Sequence, residues 1–153
     1  MIDSRAKGRT AELKCRDELR KLTGLMWERT PMSGALDAKH MLKGDVYVPQ
    51  VNIKYCVEIK HYADDHISTK LLTTKSVFYE WWAQTIREAN QMNKKPLLIF
   101  KHNRSKWFVA FNLFDLYLSM IDNKEKFIVI HTGKQEEIVI CLLTDFCKYG
   151  EFV

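Results

Sequence analysis

The spacing of apolar positions changes period several times along this chain, and each change marks an element. Cys15, Leu19 and Leu22 share one helical face within residues 5–23, and Gly24 follows as a stop signal. Glu12 falls on that same face, where a carboxylate needs a partner, either a metal ion or a buried ion pair. Leu25 to Arg29 predicts a short strand, and Thr30-Pro31-Met32-Ser33-Gly34 a loop. Asp45 to Val48 and Tyr55 to His61 alternate with period two and are joined through Pro49-Gln50-Val51-Asn52, so a hairpin is predicted. Its alternation puts Cys56, Glu58 and Lys60 on one face and Tyr55, Val57 and Ile59 on the other.

A second long helix is predicted from about Thr74 to Asn93, striped by Phe78, Trp81, Trp82, Thr85, Ile86 and Ala89 and ended by Lys94-Lys95-Pro96. Leu97-Leu98-Ile99-Phe100 is wholly apolar and predicts a central strand, with Trp107 to Ala110 the next. Phe114 to Ile121 predicts a helix, Phe127 to Ile130 and Glu137 to Leu143 two more strands, and the form of the tail is left open. This order predicts an α/β fold with a mixed central β-sheet flanked by helices. The 153 residues suit one domain, 1–153, and hold no repeat, low-complexity stretch or Pro/Gly-rich linker.

Composition narrows the class. Hydrophobic residues make up 46% and charged residues 28%, which excludes a disordered chain. No apolar run reaches the length of a membrane span, and the first residues lack the apolar core of a signal peptide, so a cytoplasmic protein is expected. Cys15, Cys56, Cys141 and Cys147 have no zinc-site spacing and read as free thiols, mostly buried. The net charge of +5 is segregated: residues 1–30 carry eight Lys/Arg against five Asp/Glu, and 70–110 eight against two, whereas the tail from 111 carries four against seven. A polyanion approaching the middle of the chain would feel that field.

The chemistry concentrates at Gly44-Asp45 and Glu58-Ile59-Lys60. Phosphodiester cleavage needs an attacking water, neutralised phosphoryl oxygens and a stabilised leaving alkoxide, all of which a magnesium ion held by carboxylates supplies. Asp45 and Glu58 on adjacent strands could each donate an oxygen, as could the carbonyl of Ile59. Lys60, on the face of Glu58, could hydrogen-bond the water or stabilise charge. Glu12 could complete the set. An acid-x-Lys tripeptide alone carries little weight, since it recurs at Glu12-Leu13-Lys14, Asp37-Ala38-Lys39 and Asp122-Asn123-Lys124. The copy at 58–60 gains weight from its strand and from the neighbouring strand bearing Asp45.

Together with Lys7-Gly8-Arg9-Thr10-Ala11-Glu12, Arg29 to Gly34, the helix with Trp82 and Gln84, and Lys95 to Phe100, these motifs resemble the PD-(D/E)xK nuclease superfamily. Within it they are most similar to archaeal-type Holliday junction resolvases, over about residues 5–110, leaving 111–153 as a C-terminal extension. The resemblance implies a restriction-endonuclease-like sheet, catalytic Glu12, Asp45, Glu58 and Lys60, and Ser33 in a loop near the scissile phosphate. It implies metal ligation by Asp45, Glu58, Glu12 and the Ile59 carbonyl, with Mg2+ as cofactor and Mn2+ able to replace it. Lys7, Arg9, Arg29, Ser33 and Gln84 would contact or support the nucleic acid. The family's proline before the aspartate is Gly44 here. The function so implied is a magnesium-dependent, structure-selective DNA endonuclease of recombination and repair, a Holliday junction resolvase acting as a homodimer on branched DNA. Alternatives are the same chemistry on a nick, flap or other recombination intermediate, a non-catalytic DNA-binding module, or a protein-interaction domain. His61 and His66 near Asp64 and Asp65 read as a solvated loop, and Trp81 and Trp82 as core or dimer-interface residues.

Overall fold

A computed structural model describes residues 4–31, 42–73 and 76–153. Helix α1 spans Ser4–Thr23, and Gly24 ends it at a φ of 73°, its N–H returning to the Arg20 carbonyl at 2.9 Å. The strand expected over 25–29 shrinks to β1, Glu28–Arg29. Residues 25–27 are instead tied to the end of α1: Arg20 Nε donates to the Trp27 carbonyl at 2.7 Å, and Thr23 Oγ1 accepts from Leu25 N and Trp27 Nε1. The hairpin forms as expected, from β2 (Val46–Tyr47) and the longer β3 (Tyr55–Tyr62), with Val46 opposite Val57.

Helix α2 runs Val77–Met92 behind an N-cap from Ser76, whose Oγ accepts from Phe78 N. It ends on Asn93 in the left-handed conformation rather than at Lys95-Pro96, which already belong to β4 (Lys95–His102). β5 is Phe108–Asn112. The helix expected over 114–121 divides into a 3-10 turn, Leu113–Asp115, and helix α3, Leu118–Asp122. Leu116 and Tyr117 between them are extended, and the Tyr117 hydroxyl bonds that of Tyr55 at 2.8 Å and accepts from Glu151 N. That tertiary anchoring outweighs local helix propensity. Two further strands, β6 (Ile128–His131) and β7 (Glu137–Leu142), precede helix α4 (Leu143–Tyr149), which gives form to the tail.

Among the described residues the strands make one sheet in the order β1-β2-β3-β4-β5-β7-β6. Only β3 and β4 are parallel, and α2 is the crossover that such a connection requires. Because both faces of β4 are covered, its apolar run is continuous: Leu97 and Ile99 pack with α1, α4 and Phe152, while Leu98 and Phe100 pack with Phe78, Trp81 and Trp82 of α2. The segment after residue 110 contributes to both layers through Ile138, Ile140, Phe146 and Phe152. The four thiols are free, Cys147 being half-buried and the others buried, and burial pushes Cys56, Cys141 and Cys147 up to about 12, so they stay protonated. No helix among the described residues is long and apolar enough to cross a membrane.

Candidate active site

The short length of β2 creates the site. Its ladder with β3 ends at Val46, so the edge of β3 beyond Val57 has no neighbouring strand. Asp45 occupies that gap. Its N–H donates to the Val57 carbonyl at 2.7 Å, its carbonyl accepts from Thr30 N at 2.9 Å, and its Oδ2 accepts from Ile59 N at 2.7 Å. In a strand a residue's N–H and carbonyl point to the same side, so the Ile59 carbonyl faces the edge that Asp45 fills.

Gly44 allows this close approach. Its φ is 83°, and a Cβ there would lie 2.8 Å from the Val57 carbonyl oxygen and 3.2 Å from Cys56 Sγ. Proline, fixed near a φ of −65°, could not adopt this conformation, which accounts for the departure from the expected proline.

Strand alternation sets Glu58 and Lys60 on one face, as expected, and that face turns toward α2. Gln84 on α2 spans them: its Nε2 donates to Glu58 Oε2 at 3.4 Å, and its Oε1 accepts from Lys60 Nζ at 3.1 Å. Glu12 reaches the same cavity from the opposite side of the sheet, through the gap left by β2, and accepts a hydrogen bond from Arg29 Nε. Of the two alternatives for this helical carboxylate the ion pair is present, and the residue also borders the cavity. The cavity, of about 160 Å3, is lined by Glu12, Thr30, Lys43, Asp45, Glu58, Gln84 and Glu88, among others.

Its electrostatics are those of anions crowded together. Burial, then the charge of Glu12, pushes Asp45 from 3.8 to about 7, against the opposing pull of the Ile59 N–H and Lys60. Glu58, 3% exposed, is pushed up to about 11 by burial, by a hydrogen bond with the Glu88 carboxyl, and by the charge of Asp45. The donor set, hard carboxylate oxygens and a backbone carbonyl, suits magnesium or manganese. No three Asp, Glu, His or Cys side chains among the described residues stand as a ready cation cage, Glu12 being turned to Arg29 and Asp45 to Ile59. Two buried oxygens nonetheless lack any partner, Glu88 Oε2 and Thr30 Oγ1, and both residues border this cavity. Crowded carboxyl groups and orphaned oxygens are what an oxygen-seeking cation would relieve.

Lys7 and Arg9 lie exposed on the first turns of α1. Ser33, with the rest of 32–41, lies outside the described residues. His61 bonds Asn103 at 3.0 Å and His66 packs on Tyr62 and Trp81, so neither joins the carboxylates. Trp81 and Trp82 are buried in the α2 core. The residue that sequence reasoning passes over is Glu88. A glutamate on the polar side of a helix carries no mark, and the one available signal was its i+4 spacing from Gln84.

The profile of the family described as "Phage putative PDDEXK endonuclease" matches residues 3–151. "Protein D14" of Escherichia phage T5 is 45% identical over 154 residues, covering 97% of this chain and 94% of that protein. The Holliday junction resolvase Hjc of the archaeal hyperthermophile Archaeoglobus fulgidus aligns over 92% of this chain and 87% of its own at a TM-score of 0.43 and 12% identity. With the sheet, the Asp45 edge and the Glu58-x-Lys60 face in place, the chain belongs to the phage PD-(D/E)xK endonuclease family.

Proposed function

We propose that the protein is a magnesium-dependent, structure-selective DNA endonuclease, a Holliday junction resolvase working as a homodimer on branched DNA. The observation that carries the chemical part is the linkage Asp45–Ile59 on the edge of β3 and Glu58–Gln84–Lys60 on its face, which sets two carboxylates on a single cavity and ties the Lys60 ammonium to it through Gln84. Asp45, Glu58, the Ile59 carbonyl and Glu12 would hold the ion. Magnesium, or manganese in its place, would supply charge neutralisation on the phosphoryl oxygens and a more acidic water.

The chain's own residues do the rest. Gln84 aims the Lys60 ammonium, which donates to the attacking water or to a phosphoryl oxygen as negative charge develops. Water gives up one proton as its oxygen adds to phosphorus, the bond to the leaving oxygen breaks, and that oxygen takes up one proton, so none is gained or lost. Arg29, now paired with Glu12, is a phosphate donor within reach of the site, and Lys7 and Arg9 extend the positive surface along α1. Ser33 belongs to the loop expected beside the scissile phosphate. The 153 residues act as one nuclease domain whose segment 111–153 is part of its core. A four-way junction has two-fold symmetry, so paired sites on a symmetric dimer could cut opposing strands.

Cleavage of matched four-way junction, duplex, flap and single-stranded DNA in magnesium, beside Glu58→Ala, tests this. Paired symmetric nicks in the junction alone, lost in the variant, are the expected result. Cutting of the other substrates would keep the nuclease and discard the junction assignment. Binding without cutting of any of them would leave a DNA-binding module.

A further inference from the structure

Helix α2 presents two polar residues to the cavity, Gln84 and, one turn on, Glu88. Gln84 is accounted for by its bonds to Glu58 and Lys60. Glu88 is not. Its carboxyl is hydrogen-bonded to that of Glu58, and its charge is also felt by Cys56 on the same face of β3. Its Oε2 is buried with no hydrogen-bond donor in reach. Lys60 is turned to Gln84 and Arg29 to Glu12.

A buried, unpaired carboxylate oxygen beside another carboxylate is among the costlier arrangements a protein can hold, and a surface glutamate would avoid it by turning to solvent. Thr30, 5% exposed, brings a second orphaned oxygen, Oγ1, to the border of the same cavity from the opposite side. Two polar atoms from separate elements, each buried and each without a partner, point to an occupant that accepts oxygen ligands. One water could donate to both orphaned oxygens, but it would leave the charge of the cavity's carboxylates unanswered. A divalent cation answers the charge as well as the geometry.

We propose that Glu88 is a direct ligand of the divalent cation, joining Asp45 and Glu58 from the helix side of the cavity. The inference rests on the nuclease reading and adds a carboxylate that neither the acid-x-Lys motif nor its hairpin contains. Because α2 is packed on the sheet through Phe78, Trp81 and Trp82, this ligand arrives on a firmly held helix. Binding of the ion would then tie the α2 layer to the strand edge held by Asp45.

The test is Mn2+ binding to the metal-free full chain without DNA, read as the loss of the free-ion EPR signal, for wild type, Glu88→Gln, Glu88→Asp and Asp45→Asn. Loss of a direct ligand lowers affinity at least tenfold, the scale on which even outer-shell partners act. Glu88→Gln is therefore expected to fall by that factor or more, with its melting temperature unchanged or raised. Glu88→Asp retains the charge and withdraws the oxygens by one bond. It must weaken too if the carboxylate touches the ion, whereas wild-type affinity in Glu88→Asp would show a through-space effect and overturn the assignment. Wild-type affinity in Glu88→Gln, with binding abolished in Asp45→Asn, would overturn Glu88 and leave the nuclease reading intact. No Mn2+ binding by the wild type would sink both.

Discussion

Replacing Asp45 by asparagine should abolish cutting and at the same time stabilise the metal-free protein. The asparagine Oδ1 can still accept from Ile59 N, so the edge geometry survives while the charge goes. The gain follows from the raised carboxyl. A shift from 3.8 to about 7 corresponds to roughly 4 kcal/mol in the limit of full linkage. Partial solvent contact and sharing of the strain with Glu58 reduce this to about 2–3 kcal/mol, or about 5–10 °C in Tm for a chain of this size. The sign is fixed by the direction of the shift: the folded state holds its proton between pH 3.8 and about 7 where the unfolded state has released it, so wild-type stability rises as pH falls through that window. The advantage of Asp45→Asn should therefore be largest near pH 8, less than half as large at pH 5, and gone near pH 4. Thermal unfolding in EDTA across that range measures it. Added magnesium should reverse the order by stabilising the wild type alone. Equal melting temperatures at pH 8, or a gap that does not shrink by pH 5, would refute the claim that crowded carboxylates strain the site.

Three further outcomes follow from the packing and charge. Gly44→Ala sets a Cβ 2.8 Å from the Val57 carbonyl at a φ of 83°, and should cost about 2–3 kcal/mol in urea unfolding while displacing Asp45 and depressing cleavage. Phe152→Ala removes a 4% exposed ring packed on Trp27, Tyr55 and Phe146, and should cost about 3–4 kcal/mol, which a dispensable C-terminal extension would not show. Joint replacement of exposed Lys7 and Arg9 by alanine should weaken binding to every DNA structure alike and reduce the salt slope by about one unit per lost phosphate contact, checked by fluorescence anisotropy between 50 and 200 mM salt.

Sequence alone determined the elements whose period is unambiguous and the chemistry that alternation dictates. Helix α1 ends at Gly24 as its pattern requires, and a period of two left no choice but to set Glu58 and Lys60 together, opposite Val57 and Ile59. The segregated basic charge was likewise plain. Short elements were less sharply bounded, because two-residue β1 and β2 are shorter than the patterns that announced them, and the hydrogen bonds of Tyr117 with Tyr55 and Glu151 broke a helix that local propensity favoured. Packing gave the tail its place, through a helix and a buried Phe152 that no periodicity announced.

The site itself needed the tertiary structure. Glu12 and Glu58 come from opposite faces of the sheet, and they share a cavity only because β2 stops at two residues and leaves the edge of β3 open. Glu88 joins them because α2 crosses back over β3, and that crossover is imposed by the parallel pairing of β3 with β4. Residue spacing fixes what shares a face of one element; which faces of different elements meet depends on where strands end and helices cross, and only the folded chain decides that.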